Sequence, residues 1–204
     1  MNKYIKRKKF NVSLLGESEV GKTRIVNCYL GKEMEEINLS TIGIENYMDE
    51  KEFDGEIYKF KIYDTAGQER YKSISKSTIK ITDGFLLVFS VNNKQSFKLI
   101  NYWFDSIKDE TETSKKVIIL VGNKIDLDNR QVTNEEAVNY AKMKNILYLE
   151  TSAKTGFGIK ELFKQLYQDI YNRFKIKNSN EDTTDNIVLN NDEKNKTKKN
   201  KKWC

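Results

Sequence analysis

Histidine and proline are absent from the 204-residue chain, and only two cysteines occur, Cys28 and Cys204. Without histidine, the chain cannot form a Ser-His-Asp triad or a Cys-His pair, so any catalysis by it depends on positioning and electrostatics. Two cysteines do not make a disulfide framework or a zinc cluster, and we therefore expect a reducing compartment. The absence of proline, beside abundant asparagine and lysine, indicates a compositional bias and no particular function.

Long hydrophobic runs are also missing. No stretch of about 18 apolar residues occurs, and the N-terminus has no apolar secretory segment. The sequence therefore predicts a protein that is made and kept in the cytosol. Its length is sufficient to bury a full core and fits one domain with extensions.

Positive charge is concentrated at the two ends of the chain. The net charge is +6, and residues 194–204 hold six lysines and no acidic residue. Five more cations lie within residues 1–9, so the body between the two ends is net acidic. Because this basicity is terminal and lacks interleaved aromatic residues before Trp203, we expect no nucleic-acid binding. Two alternatives remain for the tail, a solvated disordered segment or one that contacts a membrane.

One stretch near the N-terminus has the order of a phosphate-binding loop. The apolar run 10–15 precedes a loop with the spacing G-x-x-x-x-G-K-[ST], and a helix-like segment follows. Gly16 and Gly21 let backbone N–H groups turn toward an anion, and the helix directs its positive end to the same place. Lys22 would reach the outer phosphates, and the Thr23 hydroxyl would ligate Mg²⁺. The residues expected to bind nucleotide here are Gly16, Glu17, Ser18, Glu19, Val20, Gly21, Lys22, Thr23 and Arg24.

Strand and helix patterns alternate along the rest of the chain. Asp54-Gly55 predicts a hairpin between strands at 44–53 and 57–63. The continuous apolar runs 84–89 and 117–122 predict strands that are covered on both faces, and a short strand is expected at 146–149. Helices are expected around 97–107, after a capping box that opens at Thr133, and around 159–170. The predicted fold is α/β, with a mostly parallel six-stranded sheet, one antiparallel edge strand and helices on both faces.

Three further loops follow predicted strands, at the edge where ligands bind in such folds. Asp64 ends a strand and is suited to hold Mg²⁺ through a water. The Asp126 carboxylate can accept two hydrogen bonds from the N1–H and 2-amino groups of guanine, a donor pair that adenine lacks. The segment 151–154 can present backbone N–H groups to the guanine carbonyl oxygen. The further nucleotide-binding residues expected from these loops are Gly67, Asn123, Lys124, Asp126, Leu127, Ser152, Ala153 and Lys154.

Four such loops in this order make the chain resemble a small GTPase of the Ras superfamily over roughly residues 8–174. The segments 40–45 and 61–74 are most similar to the Rab family. This resemblance implies a P-loop G domain that binds GTP or GDP with Mg²⁺ and hydrolyses GTP slowly. It also implies that Met34 lies at a position where a Phe commonly stacks on the guanine. The catalytic residues it implies are Gln68, Lys22 and Thr41, and the metal ligands are Thr23, Thr41 and, through water, Asp64.

The resemblance further implies partners and a membrane location. We expect a monomeric switch in vesicle traffic that works with effector proteins, an exchange factor, a GTPase-activating protein and a prenyl-binding escort or GDI-like protein. Cys204 is the candidate for geranylgeranylation, and the lysines beside it would contact the cytoplasmic face of endomembranes. The expected organisation is a basic extension over 1–8, a G domain over 9–174 and a flexible tail over 175–204.

The chain departs from the Rab pattern at three positions. Rab proteins usually carry Phe, Trp and Tyr where this chain has Asn46, Tyr63 and Thr78, so the surface that shared effectors recognise is altered. An alternative function therefore remains open, that of a scaffold which binds guanine nucleotide and does not hydrolyse it.

Overall fold

A computed structural model describes residues 9–32, 45–64 and 76–176. Within these ranges, six strands form one sheet in the order β2-β3-β1-β4-β5-β6. Strands β2 and β3 are antiparallel, and the other neighbouring pairs are parallel, which confirms the predicted sheet. The strands are β1 (Lys9–Leu15), β2 (Glu45–Phe53), β3 (Glu56–Asp64), β4 (Gly84–Ser90), β5 (Val117–Asn123) and β6 (Leu147–Glu150).

Helices connect these strands. They are α1 (Lys22–Tyr29), α2 (Lys76–Ile81), α3 (Lys94–Lys98), α4 (Ile100–Glu110), α5 (Asn134–Lys144) and α6, whose described part spans 159–176. A 3₁₀ turn at Thr113–Lys115 precedes β5. Where the sequence predicted one helix around 97–107, the structure has both α3 and α4, and α2 was not predicted. In the described part of the chain, no helix is long and apolar enough to cross a membrane.

The β2–β3 hairpin follows from its two turn residues. Asp54 has φ 49° and Gly55 has φ 79°, so both adopt the left-handed conformation that a tight two-residue turn requires. Phe53 pairs with Glu56 across this turn, and the pairing continues to Glu45 and Asp64. The hairpin is therefore the one predicted from Asp54-Gly55.

The core lies in two layers, one on each face of the sheet. In β4, Leu86 and Val88 pack in the layer that contains α1 and α6, while Phe85, Leu87 and Phe89 pack in the layer with α4 and α5. All residues of β4 and β5 are buried, because helices cover both faces of these central strands. Burial of each large apolar side chain in these two strands contributes roughly 1.5–3 kcal/mol to the stability of the fold.

Aromatic side chains fix α6 against the β1–β3 side of the sheet. Tyr167 stacks on Phe60 with ring centroids 3.9 Å apart, and Phe163 stacks on Tyr29 at 3.8 Å. Burial raises the pKa of the Tyr167 hydroxyl well above its usual value. This packing joins α1, α6 and the β1–β3 side of the sheet in one apolar layer.

Candidate functional site

The phosphate loop, residues 16–21, joins β1 to α1 at the edge where the parallel strands end. A Cβ atom at Gly16 would lie 2.1 Å from the carbonyl oxygen of Val88 in β4. Gly21 is the N-cap of α1 with φ 98°, and a Cβ there would lie 2.5 Å from Nδ2 of Asn123. Both glycines of the motif are therefore required by the close packing of this loop against β4 and β5.

Lys22 directs its charge back into the loop. Its side chain is buried, and Nζ donates hydrogen bonds to the carbonyl oxygens of Gly16 at 3.0 Å and Glu17 at 2.8 Å. The N-terminus of α1 adds partial positive charge at the same place. The cradle thus combines a fixed ammonium group with backbone N–H groups, which fits the outer phosphates of a nucleotide.

Two oxygen-bearing side chains lie at the start of α1 and the end of β3. Asp64 is fully buried as the last residue of β3, where it pairs in register with Leu14 of β1. Thr23 is half-buried as the second residue of α1. A carboxylate and a hydroxyl are hard donors of the kind that Mg²⁺ prefers, and Mg²⁺ takes few protein ligands beside phosphate oxygens. The residues present therefore fit a magnesium ion.

Asn123 ties the phosphate loop to the loop that follows β6. Its side chain is buried, and Nδ2 donates to the carbonyl oxygen of Val20 at 2.9 Å. Its Oδ1 accepts from the Thr151 hydroxyl at 3.2 Å and from the Ala153 N–H at 3.1 Å. Asn123 therefore braces two loops, and one N–H of the segment 151–154, that of Ala153, serves this bracing.

Asp126 and Ser152 face each other beside a cavity of about 330 Å³. The Ser152 hydroxyl donates to Oδ1 of Asp126 at 2.6 Å, and it accepts from the Thr155 N–H at 3.1 Å. The cavity has a size typical of a small-molecule site. Its lining consists of Gly21, Arg24, Asn123, Lys124, Asp126, Leu127, Ala153 and Lys154, all of which the sequence analysis names as nucleotide-binding.

A family model described as the Ras family matches residues 11–172. The chain belongs to the Ras family. Proteins of the Ras family are small GTPases, and in general they bind guanine nucleotide together with Mg²⁺. The match extends from the third residue of β1 into α6, so it includes the phosphate loop, Asp64 and both loops beside Asp126.

Several predicted residues of this Ras-family chain lie outside the described ranges. The roles assigned to them remain predictions from the sequence. They are Met34, Thr41, Gly67, Gln68 and Cys204.

A second cavity of about 360 Å³ adjoins the first, and the sequence analysis did not identify it as a unit. Lys124 lines both cavities and has φ 68°, a left-handed conformation that is uncommon for a residue with a side chain. The second cavity is lined by Ser18, Glu19, Val20, Ser90, Asn92, Asn93, Lys124 and Gln131. Ser90, Asn92, Asn93 and Gln131 belong to no recognisable motif, so the sequence alone carries no signal that these side chains meet.

Proposed function

We propose that this protein is a Rab-like small GTPase that binds GTP and GDP with Mg²⁺, hydrolyses GTP slowly and thereby switches its binding of effectors. The observation that supports this proposal best is the set of three hydrogen bonds of the Asn123 side chain: Nδ2 donates to Val20, and Oδ1 accepts from Thr151 and Ala153. These bonds join a phosphate cradle to a base-sized cavity, which is the arrangement that one nucleotide would need.

Each part of the nucleotide has a proposed partner. Lys22 and the backbone N–H groups of residues 16–21 would bind the outer phosphates. Thr23, Thr41 and Asp64 would hold Mg²⁺, which when bound supplies positive charge that neutralises the phosphates. Gln68 would orient the attacking water. Hydrolysis is expected to be slow, because no arginine of this chain is assigned as a catalytic residue, and in related GTPases a partner's arginine adds roughly 10³ to 10⁵ in rate.

Asp126 is the proposed determinant of base specificity. Its carboxylate can accept hydrogen bonds from guanine N1–H and the 2-amino group, whereas adenine offers no matching donor pair. Replacement by Asn changes an acceptor pair into a donor and an acceptor. That pattern matches xanthine, which carries a carbonyl oxygen in place of the amine.

A competition titration with GDP, ADP and xanthosine diphosphate tests this function. We expect the wild type to prefer GDP over ADP, and Asp126→Asn to weaken GDP binding by at least roughly 100-fold. The Asn amide group places a donor against the 2-amino donor of guanine, and the bond that remains from N1–H is no longer charge-assisted. The variant should gain affinity for xanthosine diphosphate. Asp128→Asn changes an exposed carboxylate two residues further along and serves as the matched control. Binding that does not depend on the base, or is equal in Asp126→Asn, would refute the proposal.

The Rab-type role rests on the segments 40–45 and 61–74. By that resemblance the protein is a monomeric switch in vesicle traffic, on the cytoplasmic face of endomembranes and in the cytosol. Geranylgeranylated Cys204 and the lysine-rich end would supply the two membrane signals that stable anchoring needs. Effectors, an exchange factor, a GTPase-activating protein and a prenyl-binding escort or GDI-like protein are the proposed partners.

A second candidate is a scaffold that binds guanine nucleotide without hydrolysis. It is favoured by the altered surface of the β2–β3 hairpin. Asn46 and Tyr63 are register partners there, and the Tyr63 hydroxyl donates a hydrogen bond to Asn11 Oδ1 at 3.4 Å. The usual pair of large aromatic residues is therefore replaced by one small amide and one tethered phenol.

A further inference from the structure

An ion pair outside the recognised motifs links the two loops beside Asp126. Arg130 lies in the loop 124–133 that follows β5, and Glu150 is the last residue of β6. Nη1 of Arg130 donates to Oε1 of Glu150 at 2.9 Å, and Nη2 donates to Oε2 at 3.2 Å. The side chains are 32% and 22% exposed, so this bidentate pair is partly shielded from solvent.

Glu150 is held by further donors. Its Oε1 accepts from the Tyr148 hydroxyl at 2.8 Å and from Nδ2 of Asn134 at 3.1 Å. Burial alone would raise the pKa of the Glu150 carboxyl, but the hydrogen bonds from Arg130, Tyr148 and Asn134 hold that pKa below its usual value. The carboxylate therefore stays charged near neutral pH and fixes the Arg130 side chain in one orientation.

The loop that carries Arg130 is anchored at its far end as well. Nη1 of Arg130 also donates to the carbonyl oxygen of Val132 at 3.2 Å. The backbone N–H groups of Gln131 and Val132 both donate to the carbonyl oxygen of Val91, at 2.8 and 3.0 Å. Arg130 is thus part of a hydrogen-bonded turn. A restraint on its guanidinium group therefore also restrains the loop backbone.

Asp126 lies along the chain between Ile125 and Arg130, and both of these residues bond to the segment around Ser152. Glu150 directly precedes Thr151 and Ser152, and the Ser152 hydroxyl donates to Asp126. The Ile125 N–H donates to the carbonyl oxygen of Thr151 at 3.3 Å, which is a second tie between the same two loops. With the Arg130 pair, the Asp126 loop is fastened to its neighbour on both sides of the carboxylate.

We propose that Arg130 and Glu150 are positioning residues for guanine selectivity, because their ion pair holds the Asp126 loop against the Ser152 loop. The inference rests on the proposed function and extends it to two residues that touch no base. Without the pair, the backbone that carries Asp126 has more freedom, and the carboxylate spends less time where it meets the 2-amino group of guanine.

The test compares GDP with inosine diphosphate, whose base lacks only the 2-amino group. The dissociation constants of both nucleotides are measured for the wild type, Arg130→Met, Arg130→Lys and Glu150→Gln. Lysine keeps the charge but cannot form the bidentate pair, so Arg130→Lys should be intermediate. Lys59→Met is the matched control, because it removes the Lys59–Glu50 ion pair at 2.8 Å, whose cation is also 32% exposed and which lies between β3 and β2, outside both loops.

We expect Arg130→Met to weaken GDP binding by about twofold to fivefold, the range set by the loss of a partly exposed ion pair. Inosine diphosphate binding should weaken less, so that the selectivity ratio falls, while Lys59→Met keeps the wild-type ratio. An equal loss for both nucleotides, or an unchanged ratio, overturns the inference, since a purely structural role affects both alike. If Arg130→Met does not fold, Arg130→Lys and Glu150→Gln decide by the same ratio. A wild type that fails to bind GDP would instead refute the proposed function.

Discussion

At the scale of single residues, the phosphate loop can pack as it does because its two glycines have no Cβ atom. Gly16 packs against the backbone of β4, and Gly21 packs against the side chain of Asn123. The neighbour of Gly16 is a strand carbonyl group, which cannot move without disturbing the centre of the sheet. The motif in the sequence names these glycines, but only the packing explains why a methyl group is excluded at each.

Gly16→Ala should therefore destabilise the protein far more than an alanine substitution at a glycine that has free space around it. The added Cβ would meet the Val88 carbonyl oxygen at 2.1 Å, and we expect the free energy of unfolding to fall by about 3 kcal/mol. Gly31 also has positive φ, at 66°, but a Cβ there meets no atom of the described residues within 4 Å. Gly31→Ala should cost only about 1 kcal/mol from backbone strain. Urea denaturation of both variants measures the difference, and equal losses would contradict this assignment.

At the scale of helices and strands, patterns of adjacent residues predicted turns and caps correctly, whereas apolar periodicity over a longer stretch did not show where one helix ends and the next begins. The Asp54-Gly55 hairpin and the capping box at Thr133 both follow from adjacent residues, and the structure contains both. The break between α3 and α4 was missed, because Leu99 ends one helix and caps the next with φ −72° and ψ −11°, which is still helical. Apolar periodicity continues across such a junction, so it gives no sign of the break.

Helix α2 was missed for a different reason. It has six residues, and only Ile79 is buried among them. A single buried side chain makes no amphipathic pattern, so the sequence carried no periodic signal there.

Removal of the side-chain cap of α5 should destabilise the protein by about the free energy of one hydrogen bond at the N-terminus of the helix. The Thr133 hydroxyl accepts from the Glu136 N–H at 3.1 Å, and Oε2 of Glu136 accepts from the Thr133 N–H at 3.0 Å. Thr133→Ala should lower the free energy of unfolding by about 1 kcal/mol, as measured by chemical denaturation. Thr133→Ser retains the hydroxyl and should stay close to the wild type. Similar losses in both variants would mean that the methyl group of Thr133, and not its cap, matters.

At the scale of the whole molecule, the candidate site exists because the strand order brings distant motifs to one edge. The hydrogen bond from Asn123 to Val20 joins residues 103 positions apart. The sequence identified the motifs one by one, because each carries its own pattern of residue types. It did not reveal the ties between them, such as Arg130 to Glu150, since these depend on β5 and β6 being neighbours.

The described sheet and the family match make this chain a Ras-family small GTPase, and the proposed switch adds that it turns over GTP. Lys22 and Asp64 lie at the proposed phosphate end of the site, while the roles of Thr41 and Gln68 are predicted from the sequence. The scaffold alternative shares the nucleotide site but predicts no chemistry there. Hydrolysis is therefore the property that separates the two.

The decisive measurement is single-turnover hydrolysis of GTP by the purified protein, with and without Mg²⁺, beside Gln68→Leu. Gln165→Leu is the matched control, because Gln165 is an exposed residue of α6 that bonds only to Asp169 among the described contacts of its side chain. We predict Mg²⁺-dependent phosphate release at roughly 10⁻⁴ to 10⁻² per second in the wild type and in Gln165→Leu. The rate in Gln68→Leu should be at least about tenfold lower. Tight GTP binding without phosphate release, or equal rates in Gln68→Leu and the wild type, would contradict the proposed switch.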